Sequence, residues 1–197
     1  MTDSVCGAYL QEADKHNGRH SVDSIDYMVQ EMCTCFERGN KILVCGNGGS
    51  AAQASHFAAE LVGRFQLYNR PPLPVMSLNT DTSIITAVGN DICFDAVFST
   101  QVRAHAKAQD ILLIISTSGK SKNVRNAAVV ARGLGTRVFA LTSAVCDYFE
   151  SDIHWRAFSE VTCHAQEETL VVLHALCYGI EQTMASSEKG TNDMGRL

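Results

Sequence analysis

The sequence has no CxxC pair, no run of Lys or Arg longer than two, only 3 prolines in 197 residues, and no apolar run of membrane length. Each absence removes a class of function. The longest apolar stretches, such as Ile111–Ile115, are strand-length and far short of the roughly 20 residues that cross a bilayer. With 16 basic against 21 acidic residues and a net charge of −5, there is no cationic cluster to neutralise a nucleic-acid backbone. The opening MTDSVCGAYLQEADKH carries acidic residues and no apolar core, so neither a secretion signal nor an anchor is expected. A cytoplasmic protein that binds neither membrane nor nucleic acid is the starting expectation.

What is present is a core. Hydrophobic residues make up 46% of the chain and charged ones 19%, enough apolar surface for one domain to fold around. The eight cysteines are Cys6, Cys33, Cys35, Cys45, Cys93, Cys146, Cys163 and Cys177. Their spacing matches no zinc-binding pattern, and several lie inside apolar runs. They are read as reduced thiols packed as small hydrophobes.

In residues 20–38, Ile25, Met28, Val29, Met32 and Phe36 recur at helical spacing, and Gly39-Asn40 supplies a stop. A second helix over 3–17 would complete a helical N-terminal arm, residues 1–40, that packs on the core or contacts another subunit. From Lys41 the pattern becomes short apolar runs at 41–45, 74–78, 111–115, 137–141 and, more weakly, 152–158. Helices are expected between them near 50–64, 81–88, 93–107, 121–134 and 165–186, with 187–197 as a polar, flexible tail. Continuous apolar strands alternating with helices predict an α/β fold, a three-layer sandwich around a five-stranded parallel sheet spanning 41–186. Any ligand should then bind at the carboxyl ends of the strands.

Two strand-to-helix loops carry the chemistry. After the first strand, Gly46-Asn47-Gly48-Gly49-Ser50 brings backbone N–H groups to a helix N-terminus, a place for an anion or simply a tight turn. No GK[ST] follows, which disfavours a nucleoside triphosphate. After the third, Ser116-Thr117-Ser118-Gly119-Lys120-Ser121 sets four hydroxyls before a helix, more than an N-cap needs. A neutral cradle of this kind suits a small phosphomonoester.

His56 and Glu60 are four apart and share a helix face, as a metal site, an acid–base pair or a plain surface pair would. Arg64 continues that stripe and could hold a ligand oxygen or pair with Glu60. Gln166 and His174 are eight apart, roughly 12 Å along a helix axis. His174 lies in an apolar stretch where a satisfied core histidine is the ordinary reading. If both serve one site, Gln166 must stand at a helix start or come from another chain.

Taken together, GNGGSAAQASHFAAELVGRF, LNTDTSIITAVGND, STSGKSKNV and QEETLVVLH closely resemble the bacterial phosphoheptose isomerases of the sugar isomerase (SIS) fold, over about residues 20–184. The resemblance implies a flavodoxin-like sheet and conversion of sedoheptulose 7-phosphate to D-glycero-D-manno-heptose 7-phosphate, an early step toward the heptose of lipopolysaccharide. Asn47, Gly48, Gly49, Asn90 and Asp91 would contact the sugar. Ser116, Thr117, Ser118 and Ser121 would bind its phosphate, with Ser50 close by. His56, Glu60, Gln166 and His174 match the family's zinc ligands, one zinc per subunit, and Glu60 and His174 also match its base and acid. A homotetramer with active sites near subunit contacts is implied as well.

Two segments depart from the family pattern. His164-Ala165 replaces a basic and an aliphatic residue, and the segment Thr142 to Asp147 lacks a glycine pair. Alternatives from the same fold are a non-catalytic partner of the replication initiator, which characteristically lacks the acid–base residues, and an isomerase of another sugar phosphate.

Overall fold

The computed structural model describes residues 22–193. The helix expected over 3–17 lies outside them. Among the described residues, six α-helices surround one sheet: α1 (Val22–Glu37), α2 (Gly49–Val62), α3 (Thr82–Asp91), α4 (Val97–His105), α5 (Lys122–Gly133) and α6 (Thr162–Asp193). The strands are β1 (Ile42–Gly46), β2 (Val75–Ser77), β3 (Ile111–Ile115), β4 (Arg137–Thr142) and β5 (Ile153–Arg156). All four pairings are parallel, in the order β2-β1-β3-β4-β5.

Alternating strand residues feed two cores, as the period of two demands. Ile111, Leu113 and Ile115 pack with α1, α2 and α6 on one face. Leu112 and Ile114 pack with α4 and α5 on the other. α1 packs in the first core: Met28 and Met32 have no exposure, and a Cβ on Gly179 would stand 2.7 Å from Val29. That glycine lets α6 approach α1 closely.

Several boundaries differ from expectation, among them three at the ends of β2, β5 and α6. β2 is only Val75–Ser77, although Pro74 still accepts from the Ile42 amide at 3.0 Å. β5 ends at Arg156 rather than 158. α6 continues to Asp193, so residues 187–193 are helical where a flexible tail was expected. The stretch after Ile180 holds no proline to stop a helix, and polarity alone does not end one.

The strands' amino ends are pinned by Asp110, which is 1% exposed. Its carboxylate accepts from the Lys41 and Lys107 amides, Asn40 and Lys41 Nζ. Burial opposes its ionisation, but these donors prevail and hold the carboxyl below its ordinary range.

Candidate active site

β1 and β3 are neighbours, yet their following helices leave to opposite faces: α2 joins the first core and α5 the second. The loops after these strands therefore diverge and leave a crevice at the carboxyl edge, the usual ligand position in a doubly wound sheet. Both loops singled out in the sequence border it.

Close packing shapes the glycine loop. A Cβ on Gly46 would stand 2.7 Å from the Ile115 carbonyl of the adjacent strand, and Gly48 adopts φ +55 at the start of α2. Asn47 joins this loop to the other one. Its amide exchanges two hydrogen bonds with that of Asn123, at 2.8 and 2.9 Å, and Asn123 lies buried in the first turn of α5.

In the hydroxyl loop, Ser121 occupies the N-cap of α5 but makes no side-chain cap bond. Its hydroxyl is not consumed by the ordinary role of such a residue. Ser118 Oγ accepts from the Lys120 amide at 3.2 Å. Gly119 has φ +61 and is backed by Cys146 and Phe149, while the Arg125 side chain donates to its carbonyl at 2.6 Å. Ser143 donates twice to the Thr117 carbonyl, from N at 3.0 Å and from Oγ at 2.7 Å. The segment that lacks the expected glycine pair is thus the support under the hydroxyl loop.

Across the first core, α2 and α6 bring together residues distant in sequence. His56 Nε2 and His174 Nε2 are 2.9 Å apart, joining positions separated by 118 residues. Glu60 Oε1 stands 3.7 Å from His56 Nδ1, the other ring nitrogen. A carboxylate beside Nδ1 favours the tautomer with its proton there, which leaves Nε2 of His56 to accept a hydrogen bond or to bind a metal. Phe65 lies over the His174 ring, with centroids 5.6 Å apart. Gln166, in the first turns of α6, lies on the glycine loop: a Cβ on Gly49 would meet its Nε2 at 2.5 Å. Gln166 stands near the start of its helix, within the same chain as Gly49.

The metal donors can be tested against this geometry. Two nitrogens bound tetrahedrally to zinc at 2.0–2.1 Å stand about 3.3 Å apart, so the histidine pair fits two corners after a few tenths of an ångström of separation. Glu60 faces the opposite side of the His56 ring, and among the described residues no group of three His, Cys, Asp or Glu is assembled to hold a metal. The donor chemistry fits a metal in part.

Other expected residues lie elsewhere. Asn90 and Asp91 end α3 exposed, with the Asn90 amide on the Asp91 carboxylate at 2.8 Å. Arg64 does not pair with Glu60; its guanidinium lies 3.9 Å above the exposed Tyr68 ring. His164 is buried, 3.1 Å from Glu167. Of the seven described cysteines, all free thiols, Cys93 and Cys163 are exposed and the other five buried, so packing accounts for five of them. Burial pushes Cys45 to about 12 and, with nearby Asp110, Cys35 also to about 12.

One pair was missed in the sequence. Glu181, fully buried, accepts from Arg70 Nε at 2.7 Å and from the backbone amides of Phe65, Gln66 and Leu67. This clamp holds the segment that carries Phe65 against His174. A lone carboxylate in an apolar helix was the available signal, but its partner lies 111 residues away.

The SIS domain family model matches residues 9–143. The phosphoheptose isomerase of Shewanella loihica is 46% identical over 167 residues, covering 82% of this chain and 84% of its own. Two solved phosphoheptose isomerases superpose closely. The Francisella tularensis structure has a TM-score of 0.84 at 36% identity, covering 90% of this chain and 96% of that one. For Neisseria gonorrhoeae the values are 0.81 and 37%, with 89% and 97% covered. The chain belongs to the SIS domain family and, within it, to the phosphoheptose isomerases.

Proposed function

We propose that the protein interconverts sedoheptulose 7-phosphate and D-glycero-D-manno-heptose 7-phosphate, the first step of nucleotide-activated heptose biosynthesis. The observation that carries this reading is the convergence of His56, Glu60 and His174 where α2 meets α6. Ser116, Thr117, Ser118 and Ser121 hold the phosphate through hydroxyls and the α5 N-terminus, anchoring the sugar for reaction at its far end. Asn47, Gly48, Gly49 and Ser50 line the path between.

The ketose becomes an aldose by moving a proton from C1 to C2 through an enediol. Glu60 takes the C1 proton and returns it at C2. His174 donates a proton to O2 and recovers one from O1, so no net proton is gained or lost. Zinc, when held by His56 and His174 with Glu60 and Gln166 as the remaining donors, supplies Lewis-acid polarisation of the carbonyl.

The assembly we infer is a homotetramer with sites near subunit contacts. In its support, α3 buries no residue in the single chain, and Ile92 and Phe94 stand exposed just beyond it. A second copy over this edge would carry Asn90 and Asp91 to a neighbouring site. Free cysteines fit a reducing cytoplasm, and no helix among the described residues is long and apolar enough to cross a membrane.

The decisive experiment follows sedoheptulose 7-phosphate by NMR with the purified protein, with chelator and with zinc restored. Conversion lost with chelator and recovered with zinc is expected. Absence of conversion under all three conditions sinks the reading.

A further inference from the structure

Gln53 lies on α2 one turn after Gly49 and just before His56, so Gly49, Gln53, His56 and Glu60 follow one helix face at spacings of three and four. Its Nε2 donates to the Gln166 backbone carbonyl at 2.7 Å. That bond fixes the amide orientation, since only the NH2 end can meet a carbonyl. The other end, Oε1, is buried and has no hydrogen-bond partner, the one such side-chain atom among the described residues.

A buried acceptor left unmade is costly, and native proteins rarely keep one without a use. Oε1 is closed to solvent and faces a neighbouring side chain that carries a donor. Gln166 is adjacent: its backbone is already held by Gln53, and its side-chain amide lies on Gly49, one turn back along the same face.

We infer that Gln53 is the positioning residue for Gln166: when the site is loaded, Gln53 Oε1 accepts from Gln166 Nε2 and turns the Gln166 carbonyl oxygen toward the ligand. The inference deepens the proposed function and rests on its placement of Gln166 at the site. Gln53 would then hold Gln166 twice, by its main chain and by its amide. A glutamine ligand has two chemically opposite ends, and without such a partner either could face a metal or a sugar oxygen.

The test is a double-mutant cycle on the full-length protein with Gln53→Met, Gln166→Ala and both together. Zinc affinity is read by chelator competition, kcat/KM with sedoheptulose 7-phosphate, and folding by thermal melting. Removing a residue that orients a ligand costs on the order of 10- to 100-fold in metal affinity or activity. That loss is expected for Gln53→Met in the parent, and a much smaller one for the same change in Gln166→Ala, where only the main-chain bond is left to lose. Additive losses, or an unchanged Gln53→Met beside an impaired Gln166→Ala, overturn the inference and leave the isomerase reading standing. An unimpaired Gln166→Ala, or a parent protein that neither binds zinc nor turns over, removes the reading beneath it and the inference with it. If Gln53→Met does not fold, Gln53→Asn, which withdraws the same amide by one methylene, is judged by the same outcomes.

Discussion

Arg70 Nε donates to Glu181 Oε1 at 2.7 Å, with side chains 4% and 0% exposed. Arg70 also reaches the carbonyls of Glu60 and Leu61, at 2.5 and 2.7 Å. One guanidinium thus ties the end of α2 to α6.

Truncating one partner leaves the other charged and buried, so Arg70→Ala should cost about 3–5 kcal/mol in urea unfolding. Removing the anchor of the Phe65 segment should also lower activity in whatever fraction remains folded.

Acid should weaken the same clamp. Burial opposes ionisation of Glu181, but Arg70 and three backbone amides outweigh it and hold its carboxyl below the ordinary range. A depressed carboxyl stabilises the fold above its unfolded value, about 4.3, and loses that contribution as pH falls through the folded value. Melting temperature should therefore decline on acidification below about pH 4 and decline less steeply in Glu181→Gln. Asp110, lowered for similar reasons, keeps some of the slope in that variant.

Gly49→Ala should separate site from fold. The added Cβ would meet the flexible end of Gln166 at 2.5 Å, which can swing aside at little cost in stability. Displacing Gln166 should lower kcat/KM on the order of 100-fold while the melting temperature stays near that of the parent.

Ser121→Ala tests the cradle. An N-cap serine that caps its helix costs about 1 kcal/mol to remove, but this hydroxyl makes no cap bond. A stability change below about 0.5 kcal/mol is expected, together with a KM for the sugar phosphate raised about tenfold, as for loss of a bond to a charged group. Loss of stability with KM unchanged would assign the hydroxyl to the helix instead.

Glu60→Gln should abolish turnover and leave substrate binding largely intact by calorimetry. Near-normal turnover would remove Glu60 from the chemistry.

Much of this architecture was legible in the sequence, and for a physical reason. Strands buried on both faces are written as unbroken apolar runs, and 111–115 needs no other context to be read as one. The two loops were legible because glycine and hydroxyl density are local signals. Contacts across the chain were not: the spacing of His56 and Glu60 suggested a pair but did not reveal which nitrogen the carboxylate faces. Glu181 and Arg70 each look solvated when read alone, and only the packing of α2 against α6 joins them. The end of α6 was misplaced because polarity was read as termination.

The reciprocal amide bond between Asn47 and Asn123 constrains how the crevice can breathe. The two loops cannot part without breaking two hydrogen bonds at once, one of whose partners is buried in the first turn of α5. They form a fixed jaw.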